Sequence, residues 1–316
     1  MNESIKKLVH LRERLSNEIQ EDYPVTSRVH PLLTFQNCFV KRDDELGFSI
    51  SGTKFRKYRM LIPYLRQFNE VVVTGGAFSN HVLGITQLLI QNKIQFRLCL
   101  KGSPPEVIHG NYFFLLMLVP SSIITWTKEE FVVKNRSNVC VLPEGGALFS
   151  SFLGGLSLPI DILRNEETAG LAFEHIFIEA GTGVSAAALL VGLAYLEKKT
   201  HCHVLLMAEG EDKFLEQLKN YHASFEDWLS EPCPFPRYFT SARPASAASF
   251  GSTNAALFNF IVQTAQIEGL FLDPIYSGKL FFYAKEAIKL LKGNSLIVHS
   301  GGALTLTGFQ SQIERN

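Results

Sequence analysis

Three short apolar segments, each followed by a glycine-containing turn and a helical pattern, constrain the fold of this chain most. They are residues 70–74 (EVVVT), 173–178 (FEHIFI) and 295–299 (SLIVH). Apolar runs without polar alternation are typical of strands that are buried on both faces, and strands that alternate with helices build parallel sheets. The sequence therefore predicts an α/β protein with parallel or mostly parallel sheets.

Two helices and one long loop complete the coarse pattern. Residues 184–198, which are rich in small side chains, and residues 253–266 have helical periodicity. Residues 230–252 contain four prolines with many serines and alanines. Such a composition predicts a long loop. A long loop over a compact domain is more often functional than not.

Composition excludes several classes of function. The chain has 30 basic and 30 acidic residues, so it has no net charge that would attract nucleic acid or an anionic membrane. The longest apolar stretch, residues 112–120, is shorter than the roughly 20 residues that span a bilayer. The charged N-terminal segment lacks the apolar core of a secretory signal. The 5 cysteines have no CxxC spacing and predict free thiols. We expect a cytoplasmic protein that binds a small molecule.

Three segments carry side chains suited to chemistry. Residues 51–57 (SGTKFRK) place a lysine after a flexible turn, although a surface lysine cluster alone is more often a solvated face. Residues 75–81 (GGAFSNH) follow a predicted strand, and Ser79 and Asn80 there either bind a polar ligand or cap the helix. Residues 181–185 (GTGVS) offer backbone N–H groups and two hydroxyls at a helix N-terminus, which suits a phosphate group. A plain tight turn is the alternative for this loop.

No metal site is predicted. His201, Cys202 and His203 could suggest one, but we expect alternate strand residues to point to opposite faces, and no further ligand cluster lies nearby. A lone histidine at a strand end is more often a packed residue than a catalyst, so His299 is interpreted as structural.

Several motifs occur in one order along the chain: residues 41–44 (KRDD), 52–57 (GTKFRK), 75–81 (GGAFSNH), 110–111 (GN), 144–146 (EGG), 268–279 (EGLFLDPIYSGK) and 298–302 (VHSGG). Together they resemble the 1-aminocyclopropane-1-carboxylate (ACC) deaminase and D-cysteine desulfhydrase family of pyridoxal-phosphate (PLP) enzymes, from about residue 30 to residue 310. The resemblance implies the tryptophan synthase β-like fold (fold type II), with PLP in a cleft between two α/β domains. The small domain would be residues 56–151, inserted into a large domain of residues 1–55 and 152–316. We expect a homodimer.

The resemblance also implies roles for individual residues. Lys54 would hold PLP as a Schiff base and move the α-proton of the substrate, and Asn80 would bond the 3′ oxygen of PLP. Ser277, with Ser300 as a competing candidate, would face the pyridine nitrogen. The expected catalytic residues are Lys54, Ser79 and Tyr276. The expected cofactor-binding residues are Lys54, Asn80, Gly181, Thr182, Gly183, Val184, Ser185, Ser277 and Ser300, and the expected substrate-binding residues are Ser79, Asn80, His81, Phe250 and Tyr276.

The chain departs from the family pattern at several positions. Val184 stands where the phosphate loop usually has a further glycine, and Phe78 stands where relatives often have glutamine. Phe250 replaces a second tyrosine of the site. Ser277 follows Tyr276 where ACC deaminases have a glutamate. A hydroxyl there would leave the ring nitrogen largely neutral, which suits β-elimination of a good leaving group.

The resulting functional hypothesis is a PLP-dependent lyase or deaminase, with D-cysteine as the favoured substrate and pyruvate, ammonia and sulfide as products. ACC deamination to α-ketobutyrate and ammonia is an alternative. The missing phenol at Phe250 leaves open a catalytically impaired homologue that only binds PLP or an amino acid. The α/β pattern alone would also permit an NAD-dependent oxidoreductase, but no GxGxxG fingerprint supports it.

Overall fold

The computed structural model describes residues 3–18, 25–47, 52–128 and 138–313. Ser51, at the start of the predicted SGTKFRK turn, lies outside them. The helices are α1 (Glu3–Glu18), α2 (Thr53–Leu65), α3 (Asn80–Gln91), α4 (Gly110–Leu118), α5 (Phe149–Gly155), α6 (Ser157–Ala169), α7 (Val184–Tyr195), α8 (Glu211–Leu229), α9 (Ala255–Glu268), α10 (Ser277–Ala287) and α11 (Gln310–Ile313). The strands are β1 (Val29–Pro31), β2 (Cys38–Lys41), β3 (Glu70–Gly75), β4 (Phe96–Lys101), β5 (Ile124–Thr127), β6 (Val139–Leu142), β7 (His175–Ala180), β8 (His201–Leu206), β9 (Phe239–Ala242) and β10 (Ser295–Val298).

The strands of the described residues form two sheets. The larger sheet has the order β1-β2-β10-β7-β8-β9, and the smaller has the order β5-β4-β3-β6. All neighbours are parallel except β1 and β2. The predicted α/β class with mostly parallel sheets is therefore confirmed. The smaller sheet lies within residues 70–142, inside the expected small domain of residues 56–151, whose boundaries remain a prediction.

The three apolar segments form β3, β7 and β10, each within two residues of the predicted bounds. The prediction of a continuous loop over residues 230–252 is wrong for β9, which pairs with β8 at the edge of the larger sheet. Its side chains are partly buried or exposed, because an edge strand has a neighbour on one side only. Its sequence, FTSA, therefore lacks the apolar run that marks the central strands.

Small residues let α7 pack closely against its neighbours, as its sequence predicts. Ala186, Ala187 and Ala188 are fully buried. A Cβ atom on Gly192 would lie 2.5 Å from Cγ of Pro159 on α6, and one on Gly155 of α5 would lie 2.8 Å from Cβ of Ala188. The helix therefore approaches α5 and α6 at a distance that larger side chains would prevent.

A buried ion cluster anchors α2 to the larger sheet. The guanidinium of Arg56 on α2 bonds both carboxylate oxygens of Asp43, at 2.6 and 2.7 Å, and Oδ2 of Asp161 on α6 at 2.8 Å. Arg56 and Asp43 are fully buried. Burial alone would lower the pKa of Arg56. The two carboxylates have the larger combined effect, and the pKa of Arg56 is raised. The cluster fixes the helix that carries Lys54.

Lys41 extends this cluster from the end of β2. Its ammonium bonds Oδ2 of Asp161 at 2.5 Å, Oδ1 of Asn165 at 2.7 Å and the carbonyl oxygen of Ser27 at 2.7 Å. Burial lowers the pKa of Lys41 to about 8, against the opposing effect of the nearby carboxylates. The KRDD and GTKFRK motifs therefore meet in space, where Lys41 and Asp43 surround Arg56.

His201 and His203 point to the same face of β8, which corrects the expectation that they point apart, because residues i and i+2 of a strand share a face. His203 lies beside His175 of β7, with Nε2 and Nδ1 at 3.2 Å. Burial and the two neighbouring imidazoles lower the pKa of His203 to about 4. No group of three or more metal-binding side chains occurs among the residues that the structure describes.

All 5 cysteines are buried free thiols, as the sequence predicts. Among the described helices, none combines the length and the apolar character needed to cross a membrane.

Candidate active site

A cleft of about 1310 Å³ opens at the carboxyl ends of the strands of both sheets. Its wall includes residues that directly follow β3, β6 and β7, such as Gly76, Pro143 and Gly181. In parallel α/β proteins this end of the strands is where ligands bind, because loops and helix N-termini converge there. Most of the side chains that the sequence singled out line this cleft.

Lys54 lies in the first turn of α2, at the wall of the cleft. Burial lowers the pKa of its ammonium, against the effects of Glu179 and Asp273. Its Nζ lies 5.6 Å from the centre of the Tyr276 ring. The preceding Gly52 has a φ of +76°, and a Cβ there would lie 1.5 Å from the carbonyl oxygen of Ser300. Only glycine allows the chain to pass Ser300 here and to place the lysine in the cleft.

The loop of residues 181–185 wraps the N-terminus of α7 and also lines the cleft. Gly183 has left-handed φ and ψ angles of 79° and −15°. A Cβ on Gly183 would lie 3.0 Å from Oε1 of Gln217, a buried atom that has no hydrogen-bond partner among the described residues. A Cβ on Gly145 of the EGG motif would overlap the side chain of Thr182 at 2.5 Å. The EGG motif therefore packs against the proposed phosphate loop.

The GGAFSNH segment forms the N-terminus of α3. The Ser79 hydroxyl accepts hydrogen bonds from the backbone N–H groups of His81 and Val82, at 3.2 and 3.3 Å, so it caps the helix while it lines the cleft. Nδ1 of His81 lies 2.8 Å from the Tyr58 hydroxyl. Burial, followed by the nearby Lys57 and Lys54 cations, lowers the pKa of His81 to about 3. The imidazole is therefore neutral, and its Nε2 has no partner among the described residues.

Asn80 belongs to a polar network across the cleft. Its Oδ1 accepts hydrogen bonds from Nδ2 of Asn111, at 2.6 Å, and from the hydroxyl of Thr305, at 3.0 Å. Asn111 comes from the GN motif at the start of α4. The amide group of Asn80 is thereby oriented with its oxygen toward Asn111 and Thr305.

Tyr276 and Phe250 form an aromatic wall, with ring centres 6.0 Å apart in an edge-to-face arrangement. Burial raises the pKa of Tyr276. A Cβ on Gly181 would lie 3.2 Å from the Tyr276 ring, so this ring lies against the first residue of the loop of residues 181–185. Phe250 is 56% exposed, and the segment that carries it is held by Lys279 of α10, which donates to the carbonyls of Ala247 and Ser249.

The two serines expected near the pyridine nitrogen are both buried, and neither lines the cleft. The Ser277 hydroxyl donates to Oδ2 of Asp273 at 2.8 Å and accepts from the Asp273 N–H at 2.8 Å. Burial raises the pKa of Glu179, which does line the cleft, and Ser300 opposes this effect. The structure thus places Ser277 with Asp273, and Ser300 near Glu179.

Sequence reasoning missed three residues of the cleft. Glu179 lies in β7, one residue beyond the predicted strand of residues 173–178, so the sequence assigned it to the following turn. Burial and the Lys54 cation lower the pKa of Lys57 to about 7, against the effect of Glu179. Gln217 lies on α8, far from any glycine-rich motif, so only the packing of α8 against Gly183 identifies it.

The cleft fits a cofactor with a phosphate group, an aldehyde and polar ring atoms. Cations and unpaired polar atoms converge on it: Lys54, Lys57, His81 Nε2, Glu179 Oε2 and Gln217 Oε1. Buried polar atoms without a partner are costly, and a bound ligand removes that cost. A glycine-containing loop at a helix N-terminus suits the phosphate.

Comparisons with curated proteins agree with the sequence motifs. A protein of Pyrococcus furiosus, provisionally named a 1-aminocyclopropane-1-carboxylate deaminase, is 25% identical over 282 residues, which cover 84% of this chain and 84% of that protein. A protein of Thermotoga maritima with the same provisional name is 26% identical, with 85% and 90% coverage. The D-cysteine desulfhydrase of Serratia proteamaculans is 24% identical, with 88% and 90% coverage. No protein-family profile matches the chain.

Solved structures share the fold. The crystal structure of an ACC deaminase homologue has a TM-score of 0.82 at 20% identity, and the match covers 97% of this chain and 98% of that one. The diaminopropionate ammonia lyase of Escherichia coli has a TM-score of 0.62 at 12% identity, with 98% and 91% coverage. The motifs and both comparisons agree, so the chain is a relative of the ACC deaminases and D-cysteine desulfhydrases and has the fold of the PLP-dependent enzymes of fold type II.

Proposed function

We propose that the chain is a PLP-dependent lyase that carries out β-elimination on a small amino acid, with D-cysteine as the favoured substrate. One observation carries the proposal: a desolvated lysine and a glycine-containing loop at a helix N-terminus line the same cleft. PLP is the cofactor. When bound, it supplies an electron sink that stabilises negative charge at the α-carbon of a substrate.

Lys54 is the proposed covalent attachment point and proton carrier. An amine must be neutral to attack the aldehyde of the cofactor or to accept a proton, and burial favours the neutral form of Lys54. In the proposed reaction its Nζ takes the α-proton of the substrate. The Tyr276 ring lies 5.6 Å from Nζ, on the same wall of the cleft.

The phosphate of the cofactor and the carboxylate of the substrate are assigned to two different groups of residues in the cleft. The backbone N–H groups and hydroxyls of residues 181–185 bind the phosphate, and Lys57 elsewhere in the cleft wall adds positive charge when protonated. Ser79, Asn80 and His81 bind the substrate carboxylate. If Tyr58 donates to Nδ1 of His81, Nε2 carries the hydrogen and is a donor available to that carboxylate.

The choice of β-elimination rests on residue 277 and on the relatives. Ser277 lacks the carboxylate that ACC deaminases have at this position, and a relative with similar coverage is a D-cysteine desulfhydrase. The expected products of D-cysteine are pyruvate, ammonia and sulfide. ACC deamination is the second candidate, because other relatives carry that name. Ser79, Tyr276 and Phe250 are proposed to select the side chain, since they line the cleft.

A side-by-side assay tests this proposal. Purified protein with PLP is given D-cysteine, L-cysteine, β-chloro-D-alanine and ACC, and the keto acids are identified. We expect pyruvate from D-cysteine and from β-chloro-D-alanine at rates well above any α-ketobutyrate from ACC. Faster release of α-ketobutyrate from ACC would overturn the argument from Ser277. Bound PLP without turnover of any of the four would instead indicate a homologue that only binds.

The phosphate loop gives a second expectation. Hydrogen bonds to a charged phosphate are worth roughly 1.5–3 kcal/mol each, so Thr182→Ala and Ser185→Ala should each raise the Kd for PLP about ten-fold or more. The Kd is measured by equilibrium titration of the apoenzyme. Thr307→Ala, which removes an exposed hydroxyl outside the cleft, is the matched control. Wild-type affinity in both loop variants would exclude the loop from the site.

A further inference from the structure

Asn111, in the first turn of α4, has a buried amide in the wall of the cleft. The residue is 1% exposed. Its Oδ1 is shielded from solvent and has no hydrogen-bond partner within the described part of the chain. Its Nδ2 donates to the carbonyl oxygen of Phe78 at 3.0 Å and to Oδ1 of Asn80 at 2.6 Å. A buried amide that keeps both of its donors engaged while its oxygen stays unpaired needs a functional explanation.

The backbone carbonyl of Phe78 fixes the orientation of both amides. A carbonyl oxygen can only accept a hydrogen bond, so the Asn111 atom that faces it must be the nitrogen. The second hydrogen of this nitrogen goes to Asn80, and the Asn80 atom that receives it must therefore be the oxygen. Turning either amide by half a turn would bring two acceptors or two donors together. The orientation of Asn80 thus follows from the position of a backbone group.

Thr305, in the 3₁₀ segment Ala303–Gly308, supplies a second donor to Asn80. Its hydroxyl donates to the same Oδ1 at 3.0 Å. A carbonyl-type oxygen has two lone pairs, and the bonds from Asn111 and Thr305 occupy both. Asn80 lines the cleft, so its Nδ2 is the amide group that a ligand can use. That group is a donor, and it binds a negatively charged oxygen more strongly than a neutral hydroxyl.

We propose that Asn111 and Thr305 are positioning residues that hold Asn80 as a donor to the 3′ oxygen of PLP in its ionised form. The inference rests on the proposed function, in which PLP occupies the cleft, and on the expected contact of Asn80 with that oxygen. Asn111 and Thr305 act through Asn80, because their own hydrogen bonds end on its Oδ1. The nitrogen of Asn80 carries two hydrogens, so it can contact both the ring oxygen and the substrate carboxylate.

The first test compares absorbance spectra of the full-length protein with PLP before any substrate is added. Lysine-bound PLP absorbs visible light when its 3′ oxygen is ionised and near-ultraviolet light when that oxygen is neutral. Asn111→Asp replaces the donor by an acceptor, so Asn80 should turn its nitrogen away from the cofactor, and the ratio of visible to near-ultraviolet absorbance should fall about ten-fold. Thr305→Val should lower the ratio about three-fold, and Thr305→Ser, which keeps the hydroxyl, should retain it. Thr307→Val is the matched control, since the exposed Thr307 hydroxyl of the same segment donates to Leu304.

A PLP analogue without the 3′ oxygen separates positioning from a purely structural role. By titration of the apoenzyme, Thr305→Val should raise the Kd for PLP about three-fold and leave the Kd for the analogue at the wild-type value. An equal rise for both compounds, or a wild-type absorbance ratio in Thr305→Val, would overturn the inference. So would a ratio in Thr307→Val as low as that in Thr305→Val. The two Thr305 variants decide the matter even where Asn111→Asp does not fold. Failure of the wild type to form Lys54-bound cofactor would overturn the proposed function instead.

Discussion

Replacing Lys54 by alanine is expected to abolish turnover, with a loss of at least about 1000-fold, because the variant has neither the covalent attachment point nor the amine that takes the α-proton. Borohydride reduction of the wild-type holoenzyme should fix a pyridoxyl group on the peptide that contains Lys54. The same treatment of Lys54→Ala should leave that peptide unlabelled, and peptide mass spectrometry measures both. PLP should still bind noncovalently, since the phosphate loop and α3 remain intact.

Lys57 is the informative control for this experiment. It lies one helical turn beyond Lys54, lines the same cleft and also has a lowered pKa, so it is chemically able to react. Lys57→Gln should keep the label on Lys54 and weaken PLP binding through loss of positive charge. A pyridoxyl group on Lys57 in the wild type would refute the assignment of Lys54.

The largest loss of stability is expected from the buried ion cluster. Asp161→Asn removes a charge that pairs with both Arg56 and Lys41, and the two cations then remain buried with less compensation. Breaking a buried ion pair from one side costs about 3–5 kcal/mol of unfolding free energy. The asparagine keeps the size of the side chain, so the loss reports the charge. Urea unfolding followed by circular dichroism measures the change.

Glu45→Gln is the surface counterpart of this variant. Glu45 pairs with Arg28 at 2.7 Å, and their side chains are 37% and 59% exposed. Exposed ion pairs contribute about 0–1 kcal/mol to stability, so the midpoint of urea unfolding should change little. If Asp161→Asn lowered the unfolding free energy as little as Glu45→Gln does, the cluster would not anchor α2. If Asp161→Asn causes a large loss of unfolding free energy, PLP affinity should fall as well, because α2 carries Lys54.

The fold and the main groups of the site could be predicted because their signals are local. Apolar runs marked β3, β7 and β10, and glycine-containing turns marked the loops that follow them. β9 was missed because an edge strand needs no apolar run. The histidines of β8 were misplaced because the period of a strand was applied incorrectly to His201 and His203, which lie on one face.

Other parts of the site depend on contacts between distant segments. Gln217 enters the cleft only because α8 packs against Gly183, at a separation that no motif encodes. Glu179 was assigned to the turn after β7, and Lys54 and Ser300, which influence its pKa, come from opposite ends of the chain.

The tether from Lys279 has a consequence for altering the substrate range. Tyr276 directly precedes α10, and Lys279 of the same helix holds the backbone next to Phe250. The positions of Tyr276 and Phe250 are thus both linked to α10, so a shift of this helix should move the two rings together. Libraries that vary residue 250 alone will change the size of one ring but not its position. Varying residues 250 and 279 together is expected to change the width and shape of the cleft entrance.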